Sequence, residues 1–172
     1  MPLPEGDLSP KVRSSLEQLS KTAISLNSAS DRLNRAIEQL NEALRKLNLG
    51  ISSWVSFYVY EEGPLSDVHE IGYGKVNGRW GIGIKKTFDD QAQPDGYQTE
   101  ISEWHFSEAP REMRIQAIPL LHKVIEKLNE DAEHTTNEIT EQTINAEELA
   151  KAIENIIDPP RRSVNRAPGG KQ

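Results

Sequence analysis

Four histidines, two closely spaced arginines and four glycines within one strand pair are the residues whose types and spacing invite a chemical reading. His69, His105, His122 and His134 each lack a second histidine or a carboxylate at clear metal-ligand spacing on one face. Glu126 lies four residues after His122, and Glu138 four after His134. On a helix such pairs are solvated contacts worth about 0.2–0.5 kcal/mol, a plainer reading than zinc. Asp89, Asp90 and Asp95 cluster without the alternating ligands and closing glutamate of a calcium loop. The chain has no cysteine, which removes disulfides, thiolate metal sites and a cysteine nucleophile together. It also has no phosphate-binding glycine loop, dinucleotide fingerprint, HExxH helix or G-x-S-x-G turn. These residues assign no catalytic group, metal or cofactor, and they lean away from an enzyme.

Arg111 and Arg114 stand three apart near an expected helix start, just after Trp104, His105 and Phe106. Helix N-termini favour anions, and a planar guanidinium holds a carboxylate or phosphate with two bonds. The plainer expectation pairs both arginines with sheet carboxylates such as Glu100 or Glu103. The glycines belong to a hairpin of Val68 to Val76 and Arg79 to Phe88, joined by Asn77-Gly78, a turn that needs positive φ at both positions. A two-residue loop pairs Val76 with Arg79, and therefore Gly72 with Gly83 and Gly74 with Gly81. One face then carries Ile71, Tyr73, Trp80, Ile82 and Ile84, and the other is bare. Glycine weakens a strand, so the bare patch implies something laid across it. An aromatic such as Trp104 or Phe106, or a helix, comes first; a bound peptide or small ligand comes second. Arg111, Arg114, Trp104, His105, Gly72, Gly74, Gly81 and Gly83 form the candidate binding set.

The elements that must position these residues are a small sheet and two long helices. The first strand begins near Ile51, with Ile51, Val55, Phe57 and Val59 on one side and Trp54, Ser56, Tyr58 and Tyr60 on the other. A turn near Gly63-Pro64 leads to the hairpin, and the polar loop DDQAQPDGY leads to a fourth strand from Gln98 to Phe106. An up-and-down meander over 51–106 is the simplest connection.

Residues 9–50 read as one helix. Ser9 is the expected N-cap with Pro10 at the first helical position, and Arg45, Lys46, Asn48 and Gly50 are the closing signals. Leu16, Leu19, Ala23, Leu26, Ser30, Leu33, Ile37, Leu40, Leu44 and Leu47 alternate in steps of three and four, a coiled-coil seam. One flank is small (Ser15, Thr22, Ala29, Ala36, Ala43) and the other polar (Ser20, Asn27, Asn34, Asn41, Asn48). The flanks lack the charged pairs of parallel dimers, and small neighbours suit an antiparallel hairpin or bundle. Ser30 weakens the seam at mid-length.

Residues 107–158 hold a second heptad, through Ile118, Leu121, Ile125, Leu128, Ala132, Thr135, Ile139, Gln142, Ala146, Leu149, Ile153 and Ile156. Ser107 is the expected N-cap, Pro119 predicts a kink or split, and Asn145 with Glu148 resembles a capping box that would break the helix near 143–145. Residues 1–8 read as an N-terminal tail. Residues 159–172, with Arg161, Arg162, Arg166 and Lys171, have the composition of a disordered basic tail.

The 172 residues are 35% hydrophobic and 27% charged, leaner in apolar residues than the roughly 45–50% of an average domain, which favours elongated helices over a thick core. The net charge of −7 divides into +1 for residues 1–50, −5 for 51–106, −7 for 107–158 and +4 for 159–172. An acidic body is a poor platform for phosphate, so nucleic acid is an expected partner only through the tail. No apolar run approaches the roughly 20 residues that cross a bilayer, and MPLPEGDLSP lacks the features of a leader. No membrane role and a cytoplasmic place are expected.

The stretch Ile71-Gly72-Tyr73-Gly74-Lys75-Val76-Asn77-Gly78-Arg79-Trp80-Gly81-Ile82, followed by Trp104, Phe106 and Ala109-Pro110-Arg111-Glu112-Met113-Arg114-Ile115, resembles a group of small uncharacterised bacterial proteins. The resemblance spans residues 36 to 128. It implies the order helix, meander, helix and a bacterial or phage source, and it assigns no activity.

The sequence thus predicts an α+β protein with coiled-coil-type helix pairing. Its expected role is a non-enzymatic interaction or scaffold protein, a homo-oligomer or the partner of another helical protein. Leu26, Leu33, Ile37, Leu40, Leu44, Leu128, Ile139 and Leu149 form the expected pairing surface. Two alternatives are a ligand-binding domain or enzyme at the glycine face and Arg111/Arg114, and nucleic-acid contact through the tail.

Overall fold

The chain is described by a computed structural model over residues 10–91 and 98–157. The expected cap Ser9, both tails and part of the polar loop lie outside the described residues. The architecture is α+β: α1 (Pro10–Leu47), strands β1 (Ser53–Glu62), β2 (Leu65–Val76), β3 (Arg79–Asp90) and β4 (Gln98–His105), then α2 (Arg111–Ala117) and α3 (Leu121–Ile157). The chain divides into a body that ends at Asn129 and a second unit from Glu130 onward. Among the described residues, no helix is long and apolar enough to cross a membrane.

The sheet is antiparallel with strand order β1-β2-β3-β4, the meander expected from its short connections. Asn77 and Gly78 take φ of 46° and 84°, and Val76 pairs with Arg79, so Gly72 faces Gly83 and Gly74 faces Gly81 as the turn requires. One expectation fails within β1. Ser56 pairs with Glu70 but Tyr58 pairs with His69, so Phe57 is an extra residue in a bulge. A bulge reverses the side on which later residues emerge. Tyr58 therefore shares a face with His69, and the uniform alternation expected through Val59 and Tyr60 ends at Phe57.

The core lies on the face of Ile71, Tyr73, Ile82 and Ile84, all buried. Covering it are Ile37 and Leu44 of α1, Phe106 and Ala109 of the segment after β4, Met113 and Ala117 of α2, and Val124 and Leu128 of α3. α2 starts later than Ser107 predicts. His105 ends β4, a single 3-10 turn occupies Phe106–Glu108, and α2 begins at Arg111 after Pro110. That turn carries Phe106 into the core at 1% exposure, a placement that a helix begun at Ser107 would not need.

Pro119 divides the helix as expected: a 3-10 turn over Ile118–Leu120 separates α2 from α3. The second expected break is absent, because α3 runs unbroken from Leu121 to Ile157. Its threonines turn inward on their own backbone. Thr135, Thr136, Thr140 and Thr143 each donate Oγ1 to the carbonyl four residues earlier at 2.8 Å, which satisfies the hydroxyls within the helix.

Candidate functional site

The helix α1 carries three rows at seven-residue spacing, and the body uses them unequally. The first row continues into Ile37 and Leu44, which are 3% and 8% exposed in the core. The second is the polar flank. Asn41 is buried and accepts a hydrogen bond at Oδ1 from the Ile82 backbone N–H at 2.6 Å. β4 ends opposite Gly83, one residue short of this N–H, so the side chain stands in for the missing strand. A buried amide without an acceptor costs about 1–3 kcal/mol, which is why a polar residue belongs in the apolar contact here. Gly81 makes room for it, since a Cβ there would lie 3.3 Å from the Asn41 oxygen.

The same row explains the two arginines. Arg114 is buried and donates Nη1 to Asn34 Oδ1 at 2.9 Å, and Arg111 donates Nη2 to Asn27 Oδ1 at 3.4 Å. Their partners are asparagines of α1, not Glu100 or Glu103. These carboxylates sit in β4 opposite Phe88 and Lys85. Asn48 completes the row at φ 48°, the left-handed end of the helix. The asparagines, spaced at seven, are thus docking positions for α2, β3 and the helix terminus. The sequence shows the spacing but not the partners.

The third row is Leu19, Leu26, Leu33, Leu40 and Leu47, a leucine at every seventh residue. Leu33 packs against the core. The other four are 62%, 45%, 40% and 62% exposed, including two on the stretch that lies over the sheet. Beside them stand Ala29, Ala36 and Ala43, also exposed. Outside the body stretch of α1, Val12 and Leu16 are exposed too. In the second unit, Ile139, Leu149, Ile153 and Ile156 of α3 are exposed. Of the expected pairing residues, Ile37, Leu44 and Leu128 are taken up in the core, Leu33 borders it, and Leu26, Leu40, Ile139 and Leu149 face solvent.

The bare glycine face is filled at Gly72 and Gly74 from within the sheet and at Gly81 by Asn41 of α1. Trp54 of β1 lies across it: a Cβ on Gly72 would meet Trp54 ring carbons at 2.6 Å, and one on Gly74 would meet them at 3.0 Å. The Lys85 ammonium lies 4.8 Å from the Trp54 ring centroid, a cation–π contact, and pairs with Glu70 at 2.8 Å. The covering aromatic is Trp54 of β1, at the opposite edge of the sheet from the expected Trp104 and Phe106. Trp104 pairs with Ile84 and so lies on the core face, while His105 shares the glycine face opposite Gly83. The glycines and the two arginines therefore have separate neighbours, and the expected joint site is not assembled around them.

His105 instead lines a hollow of about 350 Å³ with Arg35, Glu38, Asn41, Arg45 and Arg79. Its Nε2 is buried and has no hydrogen-bond partner among the described residues. Glu38 accepts from Asn41 Nδ2 at 3.0 Å and pairs with Arg45. The Asn41 bond, then the Arg45 contact, hold its carboxyl below the usual carboxylate range. A second hollow, of about 430 Å³, is lined by Arg45, Leu49, Tyr73, Arg79 and Trp80. Tyr73 and Trp80 stack there at 5.7 Å, and burial pushes the Tyr73 hydroxyl above its ordinary range. Among the described residues, no group of three or more acidic or histidine side chains is placed to hold a metal.

Compared with protein-family models, with curated proteins and with solved structures, the chain finds no match.

Proposed function

We propose that this chain is an interaction protein whose work is done by the uncovered rows of α1 and α3, and that its partner is a second copy of itself. The observation that carries the reading is the leucine row: Leu19, Leu26, Leu40 and Leu47 stay exposed over a 38-residue helix. Full burial of a leucine side chain is worth about 1.5–3 kcal/mol, so a row of four left in water is a strong driving force for helix pairing. Exposed alanines beside the row let another helix approach closely.

Charge favours a second copy. The outer stretch of α1, residues 10–29, has Lys11, Arg13 and Lys21 against Glu17. The outer stretch of α3, residues 130–157, has eight acidic residues against Lys151 alone. Pairing α3 with α3 brings like charges together, whereas a basic α1 laid along an acidic α3 of another copy brings opposite ones. The hydroxyl-rich centre of α3 and Ser30 of α1 weaken both seams at mid-length, which favours one register over slipped ones.

The test is sedimentation equilibrium of the full chain. The expected result is a dimer or larger assembly that a Leu26→Glu, Leu40→Glu double variant converts to a monomer with an unchanged circular-dichroism spectrum. Both leucines lie outside the core, so the body keeps its fold. A monomer at all accessible concentrations overturns the reading, as does an assembly that ignores the double variant.

A further inference from the structure

The two hollows described above share a wall. Arg45 and Arg79 line both, so one compartment is polar and cationic while the other is aromatic, with two guanidinium groups between them. We propose that this cleft, between the C-terminal part of α1 and the β2–β3 hairpin, binds a small molecule with a carboxylate or phosphate on an aromatic or apolar body. The anionic end would lie toward Arg79, Arg35 and His105, and the apolar end against Trp80 and Leu49.

Four observations carry this assignment. First, cations outnumber acids in the polar compartment: Arg35, Arg45 and Arg79 face Glu38 and Glu108. Arg35 and Arg45 come from α1 and Arg79 from β3, so the fold brings the three together from distant positions. Second, Arg35 has no hydrogen-bond or ion-pair partner among the described residues, and His105 offers a buried, unpartnered Nε2. A buried polar atom without a partner is costly, and a ligand oxygen would supply one. Third, among the described residues the Arg79 guanidinium pairs only with Glu108, at 3.7 Å and in the open. Exposed pairs of that kind contribute about 0–1 kcal/mol, so exchanging one for a ligand anion costs little. A guanidinium that also borders an aromatic surface suits a flat anionic molecule.

Fourth, the aromatic compartment lies at the margin of the core, where Trp80 and Leu49 pack only partly buried beside Tyr73. Trp80 is half-buried at the hairpin end and stacked on Tyr73, and Leu49 and Gly50 line the same hollow. Arg45 reaches the Trp80 carbonyl at 3.5 Å and pairs with Glu38, so it is anchored on both sides as a partition. Binding sites of a few hundred Å³ commonly join an apolar wall to a few polar groups that fix orientation, and this cleft has that division. The inference is independent of self-association, because none of its residues lies on the leucine row.

The test uses the full chain and four compounds in calorimetric titration: 1-naphthoate, 1-naphthyl phosphate, the neutral 1-naphthalenemethanol and inorganic phosphate. The expected result is saturable binding of at least one naphthyl anion, about tenfold or more tighter than the neutral alcohol and than phosphate alone. Arg79→Gln and Arg35→Gln each weaken it about tenfold, and both side chains are exposed enough for the fold to persist. Leu26→Glu, on the exposed leucine row, leaves it unchanged. Equal binding of the neutral alcohol, full affinity in both arginine variants, loss in Leu26→Glu, or no saturation by either anion up to about 10 mM overturns the proposal.

Discussion

The inner and outer stretches of α1 are written in the same heptad pattern, and only one of them is used by the fold. Residues 33–47 bury Ile37, Asn41 and Leu44 against the sheet, whereas every residue from 10 to 29 is exposed. The difference does not come from the pattern. It comes from what lies opposite: β3 offers an N–H left free by β4 and two isoleucines to the inner stretch, whereas among the described residues the outer one buries no side chain. Even the inner stretch spends only part of its apolar surface, since Leu40 and Leu47 point away from the core. On the proposed reading, the heptad residues that the fold leaves exposed are surface for another helix.

The widest expected contrast sets Ile37→Ala against Leu19→Ala. The first removes a core side chain and should cost about 2–5 kcal/mol in urea denaturation. The second, measured at concentrations where the chain is dispersed, should cost less than about 0.5 kcal/mol. Comparable losses from both would mean that the outer stretch is already packed in the single chain. A narrower contrast lies in the asparagine row. Asn41→Ala strands the Ile82 N–H and should cost about 1–3 kcal/mol, with faster hydrogen exchange at that amide. Asn27→Ala loses one long, exposed contact to Arg111 and should fall within about 0.5 kcal/mol of the parent.

The smallest effect concerns pH and sharpens the role of Glu38 in fixing Asn41. The Glu38 carboxyl is depressed when folded, so its contribution to stability is fully present above the ordinary glutamate range and fades as pH falls through the lower folded value. Because the group is largely exposed, solvent screens most of the effect. Glu38→Gln should therefore flatten the acid side of the stability curve slightly and leave neutral stability almost unchanged. An identical acid profile in the variant would show that Asn41 keeps its orientation without the carboxylate.

Local chemistry was legible wherever it acts over a few residues. Asn77-Gly78 sets the hairpin register, and Pro119 sets the division between α2 and α3. Both follow from backbone sterics within a single turn. The Phe57 bulge had no such signature, since β1 reads as a smooth alternation until it must pair with β2. Nor did Asn145 and Glu148 break α3, because a capping-box spacing starts a helix only where the preceding turn has already ended. The glycine patch implied a covering group, but the aromatics expected there were Trp104 and Phe106; the register places Trp104 on the core face, and Trp54 covers the patch instead.

The sequence by itself determined that this chain is α+β, that its strands form hairpins in a fixed register, and that its helices carry more apolar surface than a thin sheet can cover. These properties depend on periodicity and turn sterics, which are written residue by residue. Only the tertiary structure decided which row of α1 meets the sheet, that Asn34 and Asn27 receive the arginines, and that Arg45 and Arg79 divide a cleft beside Trp80. Those choices join residues roughly 35 to 84 positions apart. No local spacing specifies such a partner. It is selected by the joint fit of shape, charge and hydrogen bonding once the elements come together.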